Sequence, residues 1–192
     1  DLLPGKRQNL LFSATITPDV ESIMEIFFNN PVKVEAAPTG TPLENIEQIS
    51  YAVPNFNTKI NLLQHILDQK QEMNKILVFA ATIDLADQLY EKMSAIYPNE
   101  TQVIHSRRAQ NQRFHAVESF HRGETRVLIA TDVISRGMDI SEVSHVINFD
   151  IPGEPEAYMH RIGRTGRADK HGTAISFFSP SEKEKLDEIQ NL

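Results

Sequence analysis

The sequence lacks cysteine altogether, and its apolar runs are short. Without cysteine in the 192 residues, disulfides, thiolate metal sites and thiol nucleophiles are all excluded. The seven histidines show no HxxxH or HxH spacing, so no histidine pair is placed to hold zinc. No apolar run approaches the roughly 18–20 residues needed to cross a bilayer, and the N-terminal stretch lacks a signal peptide's apolar core. We therefore expect no membrane partner, and a reducing, cytoplasmic location fits this composition.

Arginine is concentrated in one part of the chain, although the net charge is negative. The net charge of −7 by itself argues against a polyanionic partner. Nine of the ten arginines, however, fall between positions 107 and 167. Because arginine suits bidentate recognition of phosphate, this cluster favours a phosphate-bearing ligand. Chance clustering on solvated faces is the alternative.

Apolar runs alternate with helical stretches from about residue 46 onward, which predicts an α/β fold. Helices are predicted near 84–97, 109–121 and 155–162, and another from Ser179, three residues before Glu182. Buried strands are predicted at 75–80, 102–104, 126–130, 145–149 and 173–178. Strands with few interior polar residues, joined by helices, predict a mostly parallel sheet covered on both faces in a three-layer domain.

The first 45 residues follow a different pattern. A strand is predicted at 9–12 and a helix at 18–28, capped by Thr17, and a stretch rich in proline and glycine follows at 36–42. A lone strand and helix cannot bury their own apolar faces. We therefore expect the end of a preceding domain at 1–35, a linker at 36–45 and a second domain at 46–192.

The most informative stretch is His160-Arg-Ile-Gly-Arg-Thr-Gly-Arg167. Its three arginines are spaced by three and interleaved with Gly163 and Gly166, which allow a ligand or a facing backbone to approach closely. Such a comb suits a triphosphate, where an arginine finger stabilises the charge that develops during phosphoryl transfer. An arginine-rich turn bound to helix ends or to an acidic surface is the structural alternative.

Polar residues follow a predicted strand at 130–140. Loops at the carboxyl ends of parallel strands are where open α/β sheets bind ligands. Thr131 and Gly137 offer a hydroxyl and close backbone approach to a phosphate, and Asp132 or Asp139 could accept from a ribose hydroxyl. A helix cap and a turn glycine explain the same residues without a ligand.

Two weaker signals complete the set. Gln110–Arg113 opens a predicted helix, and a helix N-terminus beside an arginine is a natural phosphate site. Glutamine and arginine are equally ordinary on an exposed helix face. Ser13–Thr15 places two small hydroxyls after a predicted strand and is uninformative alone.

Together these stretches resemble the DEAD-box RNA helicases of superfamily 2 over nearly the whole chain. The HRIGRTGR spelling is highly specific, because related DEAH-type and DNA-unwinding helicases usually begin this motif with glutamine. The matching stretches are, in the family's order, Ser13–Thr15 (motif III), Ile76–Thr82 (motif IV), Gln110–Arg113 (motif IVa), Ala130–Ile140 (motif V) and His160–Arg167 (motif VI).

The resemblance implies a two-domain enzyme. DEAD-box proteins have two RecA-like domains that close around ATP and single-stranded RNA. The first carries a nucleotide loop and the Asp-Glu-Ala-Asp motif, and this sequence contains neither. The chain therefore resembles the end of the first domain, the linker and the complete second domain. ATP and Mg²⁺ are the implied cofactors, and the metal would be held mainly by the missing domain.

The resemblance also implies roles at the nucleotide. Arg164 and Arg167 would be the arginine fingers at the γ-phosphate, and Asp139 would contact the ribose. Gly137 would lie close to the nucleotide. His160 would help to couple ATP to RNA through the interdomain contact.

Further roles concern RNA and domain closure. Thr131, Gly137 and Arg113 would hold the RNA backbone. Affinity there should depend on phosphates rather than sequence, and it should fall steeply with salt. The residues implied at the interdomain contact are Ser13, Thr15, Arg136 and Arg161.

One departure from the family pattern precedes motif IVa. Where the family usually has His-Gly, this chain has His105-Ser106, followed by Arg107 and Arg108. A serine side chain would lie where the RNA backbone passes, so His105 and Ser106 are discounted as RNA contacts. The arginine pair either compensates with charge or belongs to a solvated turn.

The resemblance thus implies ATP-dependent unwinding of short RNA duplexes, with the present chain inactive alone. Two alternative functions are an RNA-binding or protein-docking module without activity and a DNA helicase of the same superfamily. The helix at 18–28 carries an apolar stripe that must be covered. We expect the segment 1–35 to pack on a second copy of the chain, giving a dimer, or to fold back on the sheet domain.

Overall fold

The structure is a computed structural model, and it describes residues 4, 6–13, 16, 18–34, 45–69, 73–132, 138, 140, 143–166 and 170–190. Contacts between residues divide the chain into two units, Asp1–Pro38 and Thr39–Leu192. In these described ranges, no helix has both the length and the apolar character to cross a membrane.

The described residues of the first unit form one helix, α1 (Pro18–Phe27). Proline suits the first turn because its missing N–H would have no partner there. The Nδ2 of Asn9 donates to the carbonyl of Phe27 at 2.8 Å and ties the preceding segment to the helix end. The predicted helix is confirmed, whereas the strand predicted at 9–12 is wrong: these residues form no strand, since no described segment pairs with them. Thr17 lies outside the described residues.

The second unit is built on a six-stranded sheet in which every strand pair is parallel. The strand order is β1-β6-β5-β2-β4-β3. The strands are β1 (Ile46–Ala52), β2 (Ile76–Phe79), β3 (Thr101–Ile104), β4 (Val127–Ala130), β5 (His145–Asn148) and β6 (Gly172–Phe178). The predicted parallel sheet is confirmed.

Helices cover both faces of this sheet, which confirms the three-layer α/β fold. They are α2 (Phe56–Gln69), α3 (Ile83–Ile96), α4 (Gln110–His121), α5 (Pro155–Ile162) and α6 (Lys183–Gln190), the last preceded by a 3₁₀ turn at Pro180–Glu182. α2 and α3 share a core with one side of β2, β4 and β5. α4 packs on the other side of β2 and β4, and α5 and α6 pack against β1 and β6.

Local signals in the sequence explain most of these boundaries. Every residue of β2 and β4 is buried, as expected for strands covered on both faces. Thr82 caps α3 by accepting from the backbone N–H of Leu85 at 3.1 Å. Gly123 adopts a φ of +75° just after α4, a backbone conformation that glycine adopts without strain. Parallel pairing then brings the carboxyl ends of β5, β2, β4 and β3 to one edge of the sheet.

Candidate functional site

The turns that follow β2, β4 and β5 meet at this carboxyl edge and are joined by polar side chains. The backbone N–H of Ala81, after β2, donates to Asp150 Oδ2 at 2.8 Å, after β5. Asp132 lies after β4, and Arg161 of α5 bonds to it across the sheet end. Three loops of the predicted ligand edge are therefore fixed relative to one another.

Arg161 lies at the centre of this arrangement and is 1% exposed. Its Nε and Nη2 donate to the two carboxylate oxygens of Asp132, at 2.6 and 2.8 Å. Its Nη1 donates to the carbonyl of Asp150 at 2.9 Å and to Asn148 Oδ1 at 3.3 Å. The guanidinium also lies over the ring of Phe79, 5.1 Å from its centroid. A fully buried cation is tolerated here because nearly all of its donors are used.

Arg161, which the resemblance implies at the interdomain contact, is buried within the second unit, and its part in that contact stays a prediction. Its guanidinium points into the second unit, not to its surface, because Asp132, Asn148 and Asp150 together offer it acceptors there. Asp132, considered above as a ribose acceptor, uses both carboxylate oxygens on Arg161.

The pKa of the Asp150 carboxyl is shifted in opposite directions by its burial and by its polar neighbours. Burial raises the pKa of its carboxyl above the ordinary value, while the bond from the Ala81 N–H and the charge of Arg161 oppose that rise. Its Oδ1 lies 3.6 Å from Arg161 Nη1, an ion pair rather than a hydrogen bond. The Ala81 N–H, and after it the Arg161 guanidinium, thus favour the charged form of a carboxyl that burial disfavours.

A second polar link connects α2 with the start of α6. The buried ammonium of Lys59 donates to the carbonyl of Phe149 at 2.8 Å and to Glu182 Oε2 at 3.1 Å. Burial would raise the pKa of Glu182, but the bonds from the backbone and hydroxyl of Ser179 and the charge of Lys59 lower it. Glu182 Oε1 also accepts from the backbone N–H of Ile151 at 3.1 Å, next to Asp150.

The turn after α5 carries Arg164, the first predicted finger. Thr165 is fully buried, and its hydroxyl donates to the carbonyl of Val143 at 2.6 Å. The backbone N–H of Val143 in turn donates to the carbonyl of Arg164 at 3.2 Å. Arg164 is half-buried in this pinned turn, and His160 is exposed on α5. Arg167 lies outside the described residues.

The predicted RNA contacts differ in their accessibility. Arg113 is half-buried in the first turns of α4, and its Nε makes no hydrogen bond to the part of the chain that the structure describes. Thr131 is buried, with 6% of its surface exposed. Ser13 is exposed in the first unit. Of the remaining predicted site residues, Thr15, Arg136, Gly137 and Asp139 lie outside the described ranges.

The turn before α4 explains the unusual arginine pair. His105 is buried, with 2% of its surface exposed, and its Nε2 lies 3.0 Å from Asp87 Oδ1. Arg108 donates to the same oxygen at 2.7 Å, and these two neighbours outweigh burial to lower the pKa of Asp87. Arg107 donates to Asp84 at 2.7 Å. Both arginine charges are therefore balanced by acids of α3.

Sequence reasoning missed four residues of these networks. The sequence does indicate Asp150 as a site candidate, because it follows a buried strand just as Asp132 does. Nothing local marks Asn148, Lys59 or Glu182 as members of one network, since the bond from Arg161 to Asn148 spans 13 positions of the chain and the bond from Lys59 to Glu182 spans 123. Among the described residues, no three His, Asp or Glu side chains gather where they could hold a metal ion.

Comparisons with known proteins agree with this architecture. Residues 58–169 match the helicase conserved C-terminal domain. The chain is 40% identical over 189 residues to the DEAD-box ATP-dependent RNA helicase CshA of Bacillus licheniformis, covering 98% of this chain and 38% of that protein. It is 39% identical to the ATP-dependent RNA helicase DbpA of Bacillus subtilis, again over 98% of this chain and 39% of the relative. The chain thus spans about two fifths of the relatives' length.

Solved structures show the same fold. S. cerevisiae Dbp5 bound to RNA and ADP BeF3 superposes with a TM-score of 0.81 at 31% identity, covering 98% of this chain and 50% of that one. A DEAD box protein from Methanococcus jannaschii gives a TM-score of 0.70 at 35% identity, over 94% of this chain and 47% of its own. With this fold, the motif VI turn and the domain match together, the chain belongs to the DEAD-box RNA helicases and carries their C-terminal RecA-like domain.

Proposed function

We propose that the chain is the C-terminal part of an ATP-dependent RNA helicase that unwinds short RNA duplexes. An upstream RecA-like domain would supply the nucleotide loop and hold most of the Mg²⁺. The present chain would supply Arg164 and Arg167 as arginine fingers and half of a sequence-independent RNA track. Asp139 and Gly137 would complete the nucleotide contacts.

The observation that carries the proposal is the turn after α5. A finger must be held in place before the reaction, because preorganised donors need no rearrangement when charge develops. Thr165 provides that rigidity by its 2.6 Å bond to Val143, and Arg164 is the residue directly before it. A guanidinium carried on such a turn suits the oxygens of a transferring phosphoryl group.

Arg113 supports the RNA track. Its Nε is buried and has no protein acceptor in the described part of the chain, so one donor of this guanidinium is unsatisfied near the start of α4. Arg113 lies near the N-terminus of α4, where the helix dipole also favours an anion. Ala109 at the cap position offers no side-chain bond to the helix amides. A backbone phosphate fits these donors irrespective of base sequence.

The test uses the parent protein with its upstream domain. ATP hydrolysis is measured with and without single-stranded RNA for the wild type and for Arg164→Ala. We expect RNA-stimulated turnover to fall by about 10³-fold in the variant, because a finger contributes on that order, while nucleotide binding is largely kept.

Two controls accompany this test. Arg122→Ala removes an exposed arginine that pairs with Glu118 and Glu124, and it should leave turnover unchanged. The 192-residue chain alone should not hydrolyse ATP. Equal turnover in wild type and Arg164→Ala would make Arg164 a structural residue, and detectable hydrolysis by the pure chain would overturn the two-domain account. Preference for DNA in a competition between RNA and DNA of one sequence would favour the DNA-helicase alternative.

A further inference from the structure

Asp132 lies at an unfavourable place for an RNA-binding edge. It directly follows Thr131 at the carboxyl end of β4, and its side chain is 28% exposed. A carboxylate there repels a phosphate unless a cation compensates its charge. The compensating cation is Arg161, which donates hydrogen bonds to both carboxylate oxygens at 2.6 and 2.8 Å.

Arg161 also belongs to the helix that leads to the predicted finger. It follows His160 directly and precedes Arg164 by three residues, within and just after α5. Its guanidinium therefore joins the end of β4 to the helix that ends at the Arg164 turn. The backbone of Arg164 reinforces this connection, since its N–H donates to the carbonyl of Arg161 at 3.2 Å.

The planar shape of the guanidinium is needed for this arrangement. Nε and Nη2 face Asp132 while Nη1 reaches the carbonyl of Asp150 and the amide of Asn148. The donors of the planar guanidinium thereby hold the acceptor groups at the ends of β4 and β5 in place relative to one another. A lysine would keep the charge but has no fork with which to make these bonds at once.

We propose that Arg161 is a positioning residue with two separable effects, an inference that rests on the proposed RNA-dependent activity. Its charge keeps Asp132 neutralised and turned inward, so that RNA phosphates can approach the edge at β4. Its fork fixes α5 relative to that edge and thereby orients Arg164.

The first effect is tested by charge rescue in the parent protein. Arg161→Met removes the guanidinium that pairs with the Asp132 carboxylate, and we expect the affinity for a single-stranded oligouridylate to fall about tenfold. Arg161→Met combined with Asp132→Asn should bind within about threefold of the wild type, because the repelling charge is gone. Arg122→Met is the matched control at an exposed ion pair and should bind as the wild type does.

The second effect is tested by Arg161→Lys, which keeps the charge and loses the fork. RNA affinity and the KM for ATP should stay within about threefold of the wild type, while RNA-stimulated kcat falls about tenfold because Arg164 is no longer held in place. If Arg161 were needed only for folding, Arg161→Lys would instead lower the fraction of active protein. Thermal unfolding and active-site titration of each variant separate these cases.

Several results would overturn the inference. If Asp132→Asn does not restore RNA binding to Arg161→Met, Asp132 is not the repelling group. If Arg161→Met does not fold, Asp132→Asn alone decides the first effect, and binding weaker than the wild type would contradict it. An unchanged kcat in Arg161→Lys would refute the second effect. Failure of the wild type itself to show RNA stimulation would instead refute the proposed function.

Discussion

At the scale of single residues, the turn that carries Arg164 depends on the missing side chain of Gly172. A Cβ built at Gly172 would clash with the hydroxyl of Thr165 and lie 2.5 Å from the backbone nitrogen of Gly166. Neither atom is free to move, because Thr165 is buried and bonded to Val143. Gly166 itself adopts a φ of +66°. The turn is therefore packed against the start of β6 without spare room.

Gly172→Ala should consequently destabilise the protein by about 2 kcal/mol, the usual cost of forcing a methyl group into a filled site. Urea denaturation of the 192-residue chain, followed by circular dichroism, measures this change. In the parent protein, we also expect a lower RNA-stimulated kcat, because a displaced Thr165 moves the neighbouring Arg164.

Gly153→Ala is the matched control for that prediction. No heavy atom lies within 4 Å of a Cβ built at Gly153, so the added methyl group should change the unfolding free energy by less than about 0.5 kcal/mol. Equal effects of the two substitutions would show that the packing at Gly172 does not restrain the turn.

At the scale of secondary-structure elements, the start of α6 is held by one carboxylate. Glu182 accepts from the backbone N–H and hydroxyl of Ser179, both at 2.8 Å, and from the buried Lys59 at 3.1 Å. Replacing this carboxylate by an amide leaves one acceptor oxygen in place of two, which weakens the capping of the 3₁₀ turn before α6, and leaves the ammonium of Lys59 buried without its counter-charge. Both losses act on the contact between α2 and α6.

Glu182→Gln should therefore lower the free energy of unfolding at pH 7 by about 2–4 kcal/mol. The pKa of Glu182 in the folded protein is below its ordinary value of 4.5, so its stabilising contribution is fully present above that value and is lost as the pH falls through the folded pKa. The difference between variant and wild type should shrink below about pH 4.5. Denaturation curves from pH 3.5 to pH 7 measure it.

The control for this element is Glu184→Gln, an exposed residue in the first turn of the same helix. It has the same chemistry and loses only a surface charge, so a change below about 0.5 kcal/mol is expected. A Glu182→Gln effect that is constant with pH would contradict the assignment of the stabilisation to the ionised carboxylate.

The elements that the sequence predicts well are those whose signals are local. The strand Val127–Ala130 is predicted from an apolar run, and the cap of α3 is predicted from the hydroxyl of Thr82 just before the helix. The structure contains both. β1 gives no such signal, because only Ile46 of its seven residues is buried at the sheet edge. The strand predicted at 9–12 has the right residues, but no segment that the structure describes pairs with it. Pairing is a long-range property that composition does not report.

The same distinction between local and long-range signals applies to the directions in which the side chains of the site point. The spacing of the arginines at 161 and 164 indicates a phosphate comb, yet it says nothing about which of them points inward. That outcome is set by Asp132 and Asn148, which reach Arg161 only after β4 and β5 pair with β2. Motif order thus indicates which stretches form the candidate site, while only the packed sheet shows that Arg161 is buried and Arg164 half-buried.

At the scale of the whole molecule, the two units differ in how well they bury apolar side chains. The second unit has closed cores on both faces of its sheet. In the first unit, the described apolar side chains of α1 are exposed or half-buried, and Phe12 before the helix is 89% exposed. Phe27 is 58% exposed. Apolar surface of this extent favours association, because burial contributes about 25 cal/mol for each Å² removed from water.

We therefore expect the 192-residue chain to self-associate through the segment 1–35. Sedimentation velocity over a hundredfold range of concentration should show a rising dimer fraction, and Ile26→Ser with Phe27→Ser should abolish it, because both side chains lie exposed on α1. Phe114→Ser is the matched control, since Phe114 is 59% exposed on α4 in the other unit. A parent protein with the proposed upstream domain should remain a monomer, because that domain would cover α1. Loss of the dimer in Phe114→Ser alone would assign the interface to the second unit instead.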